Sequence, residues 1–228
     1  MSGIAQHLEA VRRRIRTACE RCGRSPESVQ LVAVSKTRPA QDILAAFQAG
    51  QTIFGENYVQ ELCTKMAQIH EPLQWHFIGH LQSNKVRQIA GQVSLIHSVD
   101  RFSLARELSR QWGRLGMVCN LLVQVNVSGE ASKSGTTAAE ALDLVRGIAL
   151  LPHLQVQGLM TMPPFFDDPQ EARPFFRELR QLADRISGEH IPGVSMEQLS
   201  MGMSADFEVA IEEGATLVRV GTAIFGER

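Results

Sequence analysis

Lys36 closes the run LVAVSK, residues 31–36, where four apolar residues lead to a primary amine and Pro39 then opens a helical pattern. A lysine at the end of a buried strand either turns to solvent or is chemically employed, because burial strips water from its ammonium and lowers its pKa. An amine lowered in this way attacks aldehydes and forms a Schiff base. Lysine is sparse here: Lys36, Lys65, Lys85 and Lys133 are the four among 23 basic residues. On this residue alone, a solvated rim charge and an aldehyde-reactive amine both stand.

A second chemical signal is SMGMSADFEVAIEEGA, residues 200–215. Ser200 and Gly202 fall at the end of a strand-like run, and Ser204 precedes a helix whose first turn includes Asp206. Hydroxyls, a glycine that allows close approach and exposed amides suit a phosphate group, although ordinary tight turns use the same residues. VRVGTAIFG, residues 218–226, adds Gly221 and Thr222 as the second half of such a site. Two residues before Gly221 stands Arg219, which alternation places on the face opposite Val218 and Val220. With the valines packed outward, Arg219 points inward and needs an acceptor; Glu56 and Glu208 are the candidate carboxylates.

A phosphate site, an aldehyde-reactive lysine and an inward arginine together describe a pocket for pyridoxal 5'-phosphate (PLP). An arginine that is always charged would face the pyridine nitrogen and keep it unprotonated, making the ring a weak electron sink. Asn57 in GENYVQE and His80 in HFIGH stand at loop starts, where a cofactor contact or a structural hydrogen bond would account for them. Met160, at the end of VQGLM, completes the cofactor-facing set. The loop NVSGEASKSG, residues 126–135, carries Lys133, either in a mobile connection or as a lid and second amine able to accept the cofactor.

The elements that must position these residues recur as strand-like runs at 31–36, 52–56, 75–80, 94–100, 120–127, 156–162, 198–204 and 217–226. Between several of them lie helical patterns: PAQDILAAFQAG, ENYVQELCTKMAQIH, TAAEALDLVRGIALL and QEARPFFRELRQLADRI. Nearly continuous apolar strands alternating with helices imply parallel pairing with both faces covered. Eight such units predict a (β/α)8 barrel, an α/β fold, preceded by one extra amphipathic helix that ends near Gly23. The open doubly wound alternative calls for a glycine-rich turn after the first strand, where this chain has SKTRPA. Barrel enzymes place chemistry at the C-terminal ends of their strands, where Lys36, Ser200, Gly221 and Thr222 fall.

The 228 residues, 44% hydrophobic and 21% charged, fit one domain spanning 1–228. A net charge of -1 without long runs of like charge excludes the electrostatic footprint of a nucleic-acid binder. No apolar run reaches the roughly 18 residues of a membrane span, and the N-terminus lacks an apolar signal core. A cytoplasmic protein is therefore expected, monomeric by default. Cys19 and Cys22 have CxxC spacing but no second pair or histidine cluster, so the reading is two reduced cysteines near a helix end and no metal.

Seven segments in order, VAVSKT, FGENYVQE, WHFIGHLQSNK, SKSG, GLMTM, LSMGMSADFEVAI and VRVGTAIFG, resemble the pyridoxal phosphate homeostasis protein family, single-domain relatives of the alanine racemase N-terminal barrel. The resemblance covers essentially the whole chain. It implies that Lys36 holds PLP as an internal aldimine, that Ser200, Ser204, Gly221 and Thr222 help hold its phosphate, and that Arg219 faces the pyridine nitrogen. It further implies a role in balancing vitamin B6 and amino-acid pools rather than in turning over a substrate; apo-PLP enzymes are the expected recipients of a delivered cofactor. A racemase reading needs a second acid/base, a tyrosine from another domain in the related racemases. This chain has the single tyrosine Tyr58 and ends soon after FG. A barely catalytic PLP binder is therefore expected, with a racemase or lyase of low activity as the alternative.

Overall fold

The computed structural model describes residues 3–130 and 134–227. Lys133, and with it the expectation of a second cofactor-accepting amine, lies outside the described residues. The first helix, α1 (Gly3–Arg21), buries Leu8, Val11, Ile15, Ala18 and Cys19 at helical spacing and leaves Arg13, Arg14 and Arg16 in solvent. Gly23, at φ 68, ends it, and the Arg24 amide donates to Cys19 O at 2.9 Å.

Strands and helices then alternate: β1 (Gln30–Val34), α2 (Ala40–Gln48), β2 (Ile53–Glu56), α3 (Val59–Gln68), β3 (Gln74–Phe77), α4 (Val86–Ile89), β4 (Leu95–Val99), α5 (Phe102–Arg114) and β5 (Cys119–Asn126). They continue through β6 (Thr136–Thr137), α6 (Ala141–Ala149), β7 (Leu154–Met160), α7 (Arg173–Gly188), β8 (Val194–Ser200), α8 (Phe207–Glu212), β9 (Leu217–Val220) and α9 (Thr222–Phe225). Among the described residues, eight parallel strands close on themselves in the order β1-β2-β3-β4-β5-β7-β8-β9, with β9 returning to β1. The two-residue β6 pairs only with β5, outside this ring. Closure identifies the predicted (β/α)8 barrel and removes the open-sheet alternative; α1 packs across α8, α9 and α2.

Side-chain alternation sorts the core into two shells. Val32, Leu95, Leu122, Met160 and Leu217 pack together inside the ring, while Ala33, Phe54, Ile96, Val218 and Val220 join the larger cluster under the helices. Each fully buried aliphatic or aromatic side chain there contributes roughly 1.5–3 kcal/mol.

Strand ends are where the fold departs from the sequence reading. The run 217–226 is a strand only to Val220; the chain turns at Gly221 and enters α9. The run 198–204 is displaced, because β8 starts at Val194 among half-exposed residues whose mixed polarity hides them from an apolar search. It stops at Ser200, and beyond it the Asp206 carboxylate accepts from the Met203 amide at 2.6 Å, folding 203–206 into a turn. Helices α4 and α5 lie outside the segments read as helical.

Candidate functional site

Lys36 stands just past the C-terminal end of β1, two residues beyond inward Val34, so it rises over the barrel mouth. There it lines an open cavity of about 440 Å3 together with Asn57, Ser204, Arg219, Gly221 and Thr222. Val34, Ile78 and Met203 add apolar wall, and the exposed Met162 and Phe165 form its rim. Six residues selected from the sequence therefore converge on one mouth from the ends of β1, β2, β8 and β9.

Arg219 points inward as alternation requires, is 3% exposed, and forms part of this cavity wall. Neither expected carboxylate meets it. Glu56 lies on the outer face of β2 with Lys65, and Glu208 accepts from Arg14 at 2.6 Å. Arg219 instead donates to Ser200 Oγ at 2.5 Å and to Thr161 O at 2.8 Å. Burial pushes its pKa down to about 10, against the opposing pull of Asp206, so it remains a cation at neutral pH.

Beneath Arg219 runs a chain of buried polar groups. Ser200 Oγ is 2.8 Å from His97 Nδ1, and His97 Nε2 is 3.0 Å from His76 Nδ1. Since the guanidinium only donates, Ser200 Oγ accepts from Arg219, and the tautomer of His97 sets the direction of the bond between Oγ and Nδ1. The same tautomer sets which imidazole donates between His97 Nε2 and His76 Nδ1. Burial holds both imidazoles neutral, lowering His76 to about 4 and His97 well below its ordinary value, with the neighbouring His76 and Arg219 charges adding to the shift at His97. Sequence reading missed these histidines and singled out His80. Their signal was available: each lies within a buried strand, whereas His80 lies past the end of β3 and is exposed.

The loops after β8 and β9 meet at Ser204. Its hydroxyl oxygen accepts from the Gly221 amide at 3.3 Å and the Ala223 amide at 3.5 Å, so its own proton is left to donate into the cavity. Arg38, which sequence reading passed over, lines a narrow recess of about 50 Å3 with Lys36, Gly221 and Thr222, and donates to Glu227 O at 3.0 Å. Asn57 lines the larger cavity, and its buried Oδ1 has no hydrogen-bond partner within the described residues. Its backbone passes close to Gly79, where a Cβ would fall 2.1 Å from Asn57 O.

Four expected contacts lie away from the cavity wall, the first being His80, which is exposed past the end of β3. Ser200 is fully buried behind Arg219 and does not line the cavity; it is level with Leu217 and Met160, one layer below the mouth. Met160 belongs to that same inner layer, and Met162 and Met203 take its place on the cavity wall. Gly202, at φ 88, serves packing: a Cβ there would lie 2.6 Å from Ala210 Cβ. The four cysteines are free thiols, with Cys19 in the core of α1 and Cys22 Sγ donating to Ala18 O at 3.2 Å.

The family model for the alanine racemase N-terminal domain matches residues 6–228. The pyridoxal phosphate homeostasis protein of Aquifex aeolicus is 45% identical over 224 residues, covering 98% of this chain and 97% of that protein. That of Escherichia coli strain K12 is 45% identical over 232 residues, covering 100% and 98%. PipY of Synechococcus elongatus PCC7942, solved with PLP bound, superposes with a TM-score of 0.86 at 38% identity, covering 98% of this chain and 100% of PipY. Alanine racemase from Corynebacterium glutamicum, 16% identical with a TM-score of 0.71, shares the fold over 97% of this chain and 62% of its own.

Proposed function

The chain belongs to the alanine racemase N-terminal domain family and, within it, to the pyridoxal phosphate homeostasis proteins; from that premise we propose that it binds PLP at the barrel mouth and serves intracellular vitamin B6 homeostasis. The observation that carries this reading is the convergence of the Lys36 amine, the Ser204 hydroxyl and the Arg219 cation on one cavity. The unpartnered Asn57 Oδ1 fits a ligand that brings its own polar groups.

When bound, PLP supplies an aldehyde that reacts with a primary amine and an aromatic ring that withdraws electrons. Lys36 is the amine placed to meet that aldehyde. Ser204 donates its hydroxyl proton toward the phosphate, with Gly221 and Thr222 shaping the same subsite. Thr161 O and Ser200 hold the Arg219 guanidinium with two of its five N–H groups, leaving donors for the pyridine nitrogen. A permanent cation there keeps that nitrogen unprotonated, which disfavours carbanion chemistry and suits holding over turnover.

On this reading the protein sequesters a reactive aldehyde, limits stray condensation with cellular amines, and hands the cofactor to apo-enzymes that need it. We place it in the cytoplasm as a monomer; none of the described helices is long and apolar enough to cross a membrane. The test is to load the purified protein with PLP, mix it with an apo-PLP enzyme, and follow recovered activity against free PLP. Recovery at a rate independent of a PLP-trapping amine supports transfer, and recovery abolished by the trap limits the role to storage.

A further inference from the structure

Directly behind Lys36, on the outer face of the strand end, lies a buried charge cluster that the cavity does not contain. Lys65 of α3 is 4% exposed and donates to Ser35 O at 2.7 Å, Glu56 Oε1 at 2.6 Å and Glu61 Oε1 at 2.7 Å. Those bonds use all three ammonium donors. Glu56 Oε1 also accepts from the Ser35 hydroxyl at 2.6 Å, and Glu61 Oε1 also accepts from the Thr37 amide.

Ser35 O belongs to the peptide before Lys36 and Thr37 N to the peptide after it. Both peptide groups that bracket the Lys36 Cα therefore end on one cluster, with Lys65 joining the two carboxylates. Thr37 is held at φ 64, a left-handed conformation that branched residues avoid unless their surroundings impose it. A buried ion cluster is a weak source of net stability, because desolvation offsets most of its attraction. Orientation is the use that remains for it.

We propose that Lys65, Glu56 and Glu61 are positioning residues that fix the direction of the Lys36 amine through the two peptides flanking it, without touching the bound ligand. This rests on the assignment of Lys36 as the aldehyde-reactive amine. It predicts that disturbing the cluster selectively weakens the interaction that depends on that amine.

Two probes separate that effect from general damage: PLP, whose aldehyde bonds to lysine, and pyridoxine 5'-phosphate, whose alcohol does not. In full-length Glu61→Ala, at a carboxylate that keeps some solvent contact, we expect the PLP dissociation constant to rise about tenfold or more, as small misplacements of reacting groups do. Affinity for pyridoxine 5'-phosphate stays within about twofold over the same change. Glu61→Gln, which retains an acceptor for the Thr37 amide, recovers part of the loss, and Lys65→Met behaves like Glu61→Ala if it folds. Equal weakening of both probes, or no weakening of either, overturns the proposal while leaving Lys36 as the amine. Absence of lysine-bound PLP in the unmodified protein overturns the Lys36 assignment, and the proposal with it.

Discussion

Among the described residues no carboxylate hydrogen-bonds to the inward Arg219, which feels Asp206 only through space, and its guanidinium donates instead to the hydroxyl of Ser200, one layer deeper, at 2.5 Å. A buried cation paired with dipoles keeps its charge available to a ligand, whereas a carboxylate would neutralise it. From Ser200 the buried hydrogen bonds continue to His97 and His76, both held neutral by burial.

Removing the hydroxyl tests this arrangement. Ser200→Ala leaves an arginine N–H and His97 Nδ1 without their shared partner in a fully buried site, at an expected cost of about 1–3 kcal/mol. The change should appear as a lower urea midpoint with an unchanged slope. A midpoint within experimental scatter would mean that the relay contributes nothing to the folded state.

The neutral histidines predict acid sensitivity. The folded pKa of His76 is depressed to about 4 from an unfolded value near 6.5, so the unfolded chain binds more protons between those limits. Stability is therefore full above about pH 6.5 and lost as pH falls toward 4, by on the order of 3 kcal/mol. Glu56 and Asp206, both raised by burial, act in the opposite sense, so the contribution is read by comparison with His76→Gln. The substitution should flatten the stability slope between pH 6.5 and 4; an unchanged slope would place the acid sensitivity elsewhere.

Ser204→Ala probes the phosphate end. Loss of one hydrogen bond to a charged group is worth roughly 1.5–3 kcal/mol, so PLP affinity should fall about tenfold or more. Binding of pyridoxal, which lacks the phosphate, should be unaffected. If both ligands weaken equally, Ser204 acts through the fold of its loop.

Gly202→Ala addresses the turn between β8 and α8. The left-handed φ of 88 and the 2.6 Å approach of a Cβ to Ala210 predict a loss of about 2–4 kcal/mol in stability. Protein that remains folded should bind PLP with near-normal affinity, since Gly202 is not part of the cavity wall. Loss of affinity without loss of stability would return Gly202 to the site.

The inward direction of Arg219 was legible because parallel strands covered on both faces follow a two-residue alternation, whereas Lys36 was legible only as an amine at a strand end. Asn57, Ser204, Gly221 and Thr222 were legible as loop residues at strand ends. Depth was not legible: the apolar run at 198–204 hid where β8 stops, so Ser200 and Met160 were placed a layer too high. His76 and His97 carried one legible signal, a polar ring inside a buried strand, but their pairing with each other and with Ser200 joins different strands and was not legible. The Lys65 cluster was hidden for the same reason, since its bonds join Ser35, Glu56 and Glu61 across two strand ends and a helix.

Borohydride reduction of the PLP-loaded protein decides whether Lys36 is the amine that takes the cofactor. Peptide mass mapping should find the reduced pyridoxyl group on Lys36, with none transferred to protein carrying Lys36→Ala. Modification spread over Lys65, Lys85 and Lys133, or undiminished in the variant, would mean that Lys36 is not that amine.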